Sequence, residues 1–386
     1  MDQNSVQSPD FKEFTKFPLF VYKTLFFDFE PKKKNPSIEE SFKYFFKVNF
    51  MRLGLIIIMT SDILLFMYIF IDANTFDEIF KSMINAVGVI VALVKTATTF
   101  WNRQTIRIIM QELQNFFDRR SAYSSAYNVQ AYLTSYLRFV KIYGVLFLAL
   151  FIQPVVVPIL MYLFNGSMIL NVDYWFPFDP LQPSTYPFAQ LWISTAAYVT
   201  IINTLAAETL LYAMLSVLVM EFDILKMNFL TFKDVPKNQR SMEFGNLIKR
   251  HNKLFDLCDK LQNIYKFSFL CTFDITSLCM CLAAFRLSVS TDHVEDYSYF
   301  IPYLGVMGGQ VLLLCVFCQK LTDSSLAVSK GVYDIGWTDI DDIALKKQLI
   351  FVILRSNKPK QLTAMNFFDI SLEAFTSVSF FLCEST

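Results

Sequence analysis

Histidine, glycine and charged side chains are scarce in this chain of 386 residues. Asp, Glu, Lys and Arg make up 18% of it, whereas an ordinary soluble domain has about a quarter. The two histidines, His251 and His293, fall in segments predicted to lie on opposite sides of a membrane, which excludes a histidine metal site or a Ser-His-Asp triad. Neither GxxxxGK[ST] nor GxGxxG occurs, and the net charge is zero. We therefore expect no enzyme, metal, cofactor or nucleic-acid partner.

The seven cysteines are an odd number, and most lie inside apolar runs or among Lys- and Arg-rich segments. We interpret them as reduced packing residues. Cys315 and Cys318 have CxxC spacing, but they lie within one apolar run without a second pair, so helix packing explains them better than zinc or redox chemistry. A cleavable signal peptide is not expected, because Asp2 and Asp10 precede the first long apolar run, which starts near Leu53.

Apolar residues are abundant: 54% of the chain is hydrophobic, 42 residues are Phe, and the mean hydropathy is +0.40. Apolar runs of roughly the 20 residues that a membrane-crossing helix needs recur along the whole length. We therefore predict one all-α membrane domain with seven transmembrane helices. Span 4 is longer than a bilayer requires, and Lys95 in span 2 is expected to snorkel to the interface. The predicted spans, numbered 1 to 7, are Leu53–Ile71, Ile79–Trp101, Phe139–Phe164, Phe188–Met220, Phe267–Leu287, Tyr299–Leu321 and Leu362–Cys383.

The positions of Lys and Arg predict the orientation of these spans. Of 34 such residues, 32 lie in residues 1–52, Lys95–Lys141, Lys226–Lys266 and Lys320–Lys360, whereas the alternating loops are acidic or neutral. Positive loops stay in the cytosol, so the N-terminus is predicted to be cytosolic and the C-terminus extracellular, inverted relative to G-protein-coupled receptors. Residues 1–52 are then a cytosolic or interfacial N-terminal segment, and residues 53–386 form the transmembrane domain.

One N-glycosylation sequon begins at Asn165, in a loop that this orientation places outside the cell. Carboxylates inside predicted spans are candidates for function. The four candidates are Asp62, Glu208, Asp274 and Glu373. A paired or hydrated carboxylate is tolerable at Glu208 and Asp274, which lie toward the inner ends of their spans. A small-solute transporter would bring such groups together across internal repeats, but no repeat is visible, so transport is the lesser alternative.

Aromatic and methionine side chains recur in the outer halves of spans 3, 4 and 6. Each one alone is explained by core packing, but together they would line an apolar cavity with a few hydroxyls and no charge. Such a cavity suits a small neutral ligand, because a charged ligand would be left unpaired. The predicted ligand-binding residues are Phe147, Phe151, Tyr198, Ile202, Tyr299, Tyr303 and Met307.

The stretch KPKQLTAMNFFDISLEAFTSV, Lys358–Val378, resembles the C-terminal signature of insect odorant receptors. The outer-loop sequence YWFPFDP is similar to the second outer loop of that family. The last span lacks the T-Y-x5-Q-F pattern of the related gustatory receptors, and the segment between spans 4 and 5 is too short for the insertion of the shared co-receptor. The chain thus resembles a ligand-tuned odorant receptor subunit. The residues that match the terminal motif are Phe367, Phe368, Ser371, Leu372, Glu373, Phe375 and Ser377.

The resemblance implies a heterotetramer with the odorant co-receptor, working as a ligand-gated, non-selective cation channel in the lipid of the plasma membrane of sensory-neuron cilia and dendrites. The seventh spans would line the pore, helix ends within residues 216–266 and 320–362 would form a cytosolic anchor, and a small volatile ligand would bind among spans 2, 3, 4 and 6. Family members usually extend beyond the position of Thr386, so we expect the outer end of the pore helix, with its gate, to be truncated here, the alternative being that the partner subunits alone supply the gate. The alternatives are a gustatory-type or metabotropic chemoreceptor and a small-solute transporter.

An epitope tag placed before Asp10 tests the predicted orientation. We expect an antibody to stain this tag only in permeabilised cells, because the positively charged N-terminal segment stays in the cytosol. A metabotropic receptor of the G-protein-coupled kind would expose its N-terminus, so staining of intact cells would contradict the predicted orientation.

Overall fold

Helices make up almost all of the regular structure in the computed structural model, which describes residues 11–24, 38–118, 129–289, 294–335 and 343–377. Glycine and proline are rare in the apolar runs, so helical hydrogen bonding continues over long distances. Two short strands, β1 (Thr363–Ala364) and β2 (Phe368–Asp369), pair as an antiparallel hairpin. The helices are α1 (Phe11–Thr24), α2 (Ile38–Ile71), α3 (Phe76–Trp101), α4 (Arg103–Asp118), α5 (Val129–Phe151), α6 (Val157–Asn165), α7 (Tyr186–Leu230), α8 (Arg240–Val289), α9 (Val294–Tyr333) and α10 (Ile343–Ser356).

Six helical stretches within the described residues are long and apolar enough to cross a membrane. They correspond to predicted spans 1 to 6, in the order α2, α3, α5 with α6, α7, α8 and α9. Below, the end of the bundle that carries the loop of residues 166–185 is called the outer end, and the opposite end the inner end. The six stretches are Glu39–Ile71, Glu78–Trp101, Val129–Asn165, Tyr186–Leu230, Arg240–Ala283 and Tyr303–Tyr333.

α7 is the central helix of the bundle, and every residue from Asn203 to Phe222 is buried. It packs against α1, α3, α5, α8 and α9. With 45, 50 and 40 residues, α7, α8 and α9 are about 60–75 Å long at ~1.5 Å per residue, roughly twice the ~30 Å hydrocarbon core. Their inner halves therefore extend beyond the thickness of a membrane and pack into the main hydrophobic core, as the length of span 4 predicts.

Span 3 is broken into α5 and α6 at Pro154. A proline has no N–H to donate, and the chain forms a π-helical turn over Ile152–Val156. The carbonyl oxygen of Pro154 accepts a hydrogen bond of 3.1 Å from Gln190 Nε2 of α7. The break in span 3 is therefore tied directly to the central helix.

Ion pairs join the helices at the inner end. Arg250 of α8 pairs with Glu221 of α7 at 2.5 Å, and Lys253 of α8 pairs with Glu112 of α4. α1 packs on the same core, where the ring of Phe14 contacts those of α4 and α5. Helix ends from residues 216–266 and 320–362 meet in this packed region, and their role as an anchor between subunits stays a prediction.

The predicted start of span 7 at Leu362 is wrong. Residues 362–370 form the β1–β2 hairpin instead of a helix, and two residues of its turn have positive φ angles of 52° and 64°. Gln262 of α8 holds the hairpin in place: its amide donates to the Thr363 carbonyl at 2.8 Å and accepts from the Thr363 N–H at 3.0 Å. The physical reason is that Gln262 of α8 provides hydrogen-bond partners for the N–H and the carbonyl of Thr363. These backbone groups therefore do not need the partners that a helix would supply.

A terminal helix begins after the hairpin, at Leu372. The Ser371 hydroxyl accepts a hydrogen bond from the Ala374 N–H at 3.2 Å, which caps the first turn. The helix runs to Ser377, and the remainder of predicted span 7, residues 378–386, lies outside the described residues.

Gly331 of α9 provides a test of the packing between α9 and α7. A Cβ added there would lie 2.9 Å from Lys226 Cγ and 3.0 Å from the Lys226 carbonyl oxygen. A backbone carbonyl cannot move aside as a flexible side chain can, so we expect Gly331→Ala to destabilise the protein by about 1–3 kcal/mol. The apparent melting temperature of the purified protein in detergent should fall accordingly.

Gly245→Ala is the matched control, because a Cβ at Gly245 of α8 meets none of the described atoms within 4 Å. Alanine stabilises a helix relative to glycine by about 1 kcal/mol, so this variant should melt at the wild-type temperature or slightly above it. Equal melting temperatures for the two variants would contradict the close approach of α9 to α7.

Candidate ligand cavity

A cavity of about 160 Å³ lies in the outer half of the bundle, between α2, α3, α5, α7 and α9. Small residues in its walls leave the space open, namely Gly88 and Ala92 on α3, Ala149 on α5 and Ala197 on α7. Most of the remaining wall is aliphatic or aromatic. The cavity therefore exists because three helices, α3, α5 and α7, carry small residues at facing positions.

The loop of residues 166–185 closes the outer side of the cavity with Val172 and Tyr174. The N–H of Trp175 donates to the carbonyl of Leu64 in α2 at 3.1 Å, and Tyr174 is buried against Leu65. These contacts hold the loop against the bundle. The segment that resembles the second outer loop of odorant receptors is thus a wall of the cavity.

Tyr303 of α9 places a polar group in the apolar wall. Its hydroxyl donates to the carbonyl of Ile84 in α3 at 3.1 Å and lies 3.6 Å from Cys279 Sγ of α8. Gly88 makes this possible, because a Cβ there would lie 2.9 Å from the Tyr303 hydroxyl oxygen. One side chain therefore joins three helices beside the cavity.

Lys95, Glu208 and Gln310 form a buried polar cluster at the inner side of the cavity. Lys95 of α3 pairs with Glu208 of α7, and Gln310 of α9 donates its amide N–H to the same carboxylate oxygen, Oε1. Lys95 is only 7% exposed, so the expectation that it snorkels to the interface is wrong. The opposite charges offset each other's desolvation, which allows both to stay buried. Gln310 also lines the cavity and connects its wall to the ion pair.

The structure brings together some of the predicted ligand-binding residues and separates others. Tyr198 borders a second cavity, of about 260 Å³, toward the inner end, and its ring lies 6.4 Å from that of Phe151. Ile202 packs against the main core, and the side chain of Tyr299 lies outside the described residues. The predicted residues that line the outer cavity are Phe147, Tyr303 and Met307.

The phase of α7 explains this separation. Tyr198 and Ile202 lie on one side of α7, and the cavity-lining residues lie on the adjacent side. Successive residues are rotated by about 100° around a helix, so residues close in sequence face different directions. Spacings of three and four residues keep the lining set on one face. That set is Ile193, Ala197, Thr200, Ile201 and Thr204.

Residues of α3 that line the cavity are missing from the predicted set. Asn85, Gly88 and Ala92 repeat a small or polar residue at spacings of three and four along an apolar helix, which is typical of an internal face, so the signal was present in the sequence. The loop residues Val172 and Tyr174 gave no such signal, because a loop has no periodicity.

The four candidate carboxylates do not form one site. Glu208 is paired with Lys95, whereas Asp274 and Glu373 are exposed on the surface of the bundle. Asp62 is buried, and neither of its carboxylate oxygens has a hydrogen-bond partner among the described residues. In the part of the chain that the structure describes, no group of three or more His, Cys, Asp or Glu residues could hold a metal ion.

The terminal-motif residues divide between the core and the surface. Phe368 packs on Phe273 of α8 with ring centroids 5.1 Å apart, and Phe375 packs against the main core. Asn165, at the end of α6, is exposed, and its glycosylation stays a prediction. The exposed motif residues are Phe367, Leu372, Glu373 and Ser377.

Long apolar helices around an internal cavity are the architecture of a multi-pass membrane protein. The chain belongs to the odorant receptor family, because the family model described as 7tm Odorant receptor matches residues 75–381. It is 25% identical to Odorant receptor 67c of Drosophila melanogaster, covering 95% of this chain and 93% of that protein. It is 23% identical to Putative odorant receptor 92a of the same species, covering 95% and 92%.

Two solved structures share the fold over nearly the whole chain. The insect olfactory receptor OR5 from Machilis hrabei in complex with eugenol has a TM-score of 0.78 at 14% identity, covering 98% of both chains. Another structure of that receptor has a TM-score of 0.79 at 14% identity, covering 97% of this chain and 98% of the other. These similarities confirm the predicted all-α, seven-helix membrane fold, and the orientation of the helices stays a prediction.

Replacing Lys95 tests the buried ion pair. Lys95→Met leaves the Glu208 carboxylate buried without its counter-charge, so we expect a loss of about 3–5 kcal/mol, seen as weak surface expression and a lower melting temperature. The double variant Lys95→Met/Glu208→Met removes both charges and should recover much of that loss.

Lys330→Met is the matched control, because Lys330 of α9 is exposed. It should change neither surface expression nor melting temperature. A double variant that is as unstable as Lys95→Met, or an equally unstable Lys330→Met, would contradict the assignment of Lys95 and Glu208 as a stabilising buried pair.

Proposed function

We propose that this chain is the odorant-binding subunit of a ligand-gated, non-selective cation channel, and that small neutral volatiles bind in the cavity beside Phe147, Tyr303 and Met307. The observation that carries the proposal is the cavity itself, an apolar space inside a member of the odorant receptor family. Volatile molecules are small, neutral and mostly apolar, and such a site binds them without leaving a charge unpaired.

The volume of the cavity limits the size of the ligand. An engineered protein cavity of about 150 Å³ holds benzene. A cavity of about 160 Å³ therefore suits one substituted aromatic or heteroaromatic ring. Phe147 and Tyr303 supply aromatic contacts and Met307 supplies a thioether, each contributing on the order of 1 kcal/mol.

The assembly in this proposal is a heterotetramer with the odorant co-receptor in the plasma membrane of sensory neurons. Apolar side chains that a single subunit leaves exposed support it, such as Phe367 at 76% and Leu372 at 40%. Neighbouring subunits would cover them. In this arrangement the terminal helices lie along the pore, and the inner ends of α7 to α10 form the anchor.

Alanine substitutions in the cavity test the ligand site. Phe147→Ala, Tyr303→Ala and Met307→Ala each remove ligand contacts worth on the order of 1 kcal/mol, so the dose–response curve should shift several-fold toward higher odorant concentration. The measurement is the odorant-evoked cation current in cells that express this chain with the co-receptor, recorded with G-protein signalling blocked.

Tyr198→Ala is the matched control, because it removes a tyrosine of α7 that borders the second cavity and not the first. It should leave the dose–response curve within about twofold of the wild type, since a substitution remote from the ligand removes none of its contacts. Silence across a broad panel of volatiles, with both subunits at the cell surface, would refute the proposed function. An effect of Tyr198→Ala equal to that of Tyr303→Ala would refute the placement of the site.

A further inference from the structure

We infer that the cavity selects odorants that carry a hydrogen-bond donor, such as a hydroxyl or a ring N–H, over otherwise similar odorants that can only accept hydrogen bonds. The inference rests on the proposed function, since it concerns the occupant of the same cavity. It follows from the polar groups that border the cavity and from the hydrogen bonds that they already make.

The first step is the orientation of the Gln310 side chain. Glu208 Oε1 receives an N–H from the ammonium of Lys95, so this oxygen acts as an acceptor. The Gln310 atom that contacts it has to be the amide nitrogen, because the reverse orientation would bring two oxygens together. The ion pair thus holds the nitrogen, and the amide oxygen occupies the other corner of the planar group.

The amide oxygen of Gln310 is the acceptor that we assign to the ligand. Gln310 is 2% exposed, and it lines the cavity. The hydrogen bond that its side chain makes within the described residues runs from the nitrogen to Glu208. A donor on the ligand would supply the hydrogen bond that the oxygen can accept.

Two hydroxyl hydrogens beside the cavity are also taken by the protein. Thr204 donates to the carbonyl of Thr200 at 2.9 Å, and Tyr303 donates to the carbonyl of Ile84 at 3.1 Å. A hydroxyl has one hydrogen and two lone pairs, so Thr204 has acceptor capacity left and no donor. Asn85 and Thr200 also line the cavity, and each carries a donor as well as an acceptor, so either can meet either kind of ligand group. The groups whose donors are fixed by the protein, Gln310, Thr204 and Tyr303, favour a donor on the ligand.

Pairs of odorants that differ by one methyl group on the donor atom test the inference. We use 4-methylphenol with 4-methylanisole, and indole with 1-methylindole, and we pair any other activating odorant with its O- or N-methyl analogue. The donor member should activate the channel at concentrations about threefold to tenfold lower, the effect of one ordinary buried hydrogen bond. Equal potency in the wild type, or activation by donor-free odorants alone, would overturn the inference.

Variants of the polar cluster assign the effect to Gln310 and its positioning residue Glu208. The potency ratio is the effective concentration of the methylated odorant divided by that of its donor partner. Gln310→Leu removes the acceptor, so this ratio should fall close to one. Glu208→Gln allows the Gln310 amide to turn its N–H groups toward the cavity, which favours the acceptor-only odorant, so the ratio should fall below one. Lys95→Met/Glu208→Gln should do the same without an unpaired buried ammonium.

The ratio distinguishes positioning from a purely structural role. A role of Glu208 in folding alone would change the size of the current and leave the ratio as it is. Met307→Leu retains every polar group of the cavity, so the ratio in this variant should equal that of the wild type. A ratio unchanged in the Glu208 variants would overturn the positioning role.

The inference and the proposed function fail in different ways. Absence of current with every odorant, with both subunits at the cell surface, would refute the receptor function itself. If the currents are normal and Gln310→Leu leaves the ratio unchanged, only the assignment of Gln310 as the acceptor is overturned. Should Gln310→Leu not reach the surface, Gln310→Met, which is unbranched and similar in length, takes its place. The wild-type ratio tests the donor preference itself, whichever Gln310 variant is used.

Discussion

The pairing of Lys95 with Glu208 is the contact on which the arrangement of the outer half depends. A lysine and a glutamate this deeply buried offset each other's desolvation when they are paired. The pair joins α3 to α7, and Gln310 joins α9 to the same oxygen, so three helices are held in one register. In that register the Tyr303 hydroxyl packs against Gly88, and both residues line the cavity.

The central position of α7 connects the cavity to the inner end of the molecule. Thr204, which lines the cavity, and Glu208, which carries the ion pair, are one helical turn apart. Below them α7 is buried on all sides and reaches Glu221, which pairs with Arg250 of α8. A displacement of α7 by a bound ligand would therefore reach the inner core through one continuous helix, as the proposed channel function requires.

Fold and cavity differ in how strongly they constrain the sequence. The fold persists at 14% identity over nearly the whole chain, because a helical bundle needs apolar faces of about the right size more than particular residues. The cavity instead depends on a few small residues such as Gly88 and Ala197 and on a loop that contacts α2 through the Trp175 N–H and the Tyr174 ring. Receptors with one fold can thus differ in the ligands they accept.

Apolar length, charge bias and composition are local properties, so the sequence by itself determined six of the spans, the great length of α7 and three side chains that line the cavity. It did not reveal that Lys95 turns inward, that residues 362–370 form a hairpin, or that Tyr198 faces away from the cavity. Each of these depends on a neighbour far along the chain: Lys95 meets a carboxylate 113 positions away, and Thr363 meets an amide 101 positions away. Only the tertiary structure decided them, because the side that a helix presents to a distant neighbour is set by packing between helices and not by the residues next to it in sequence.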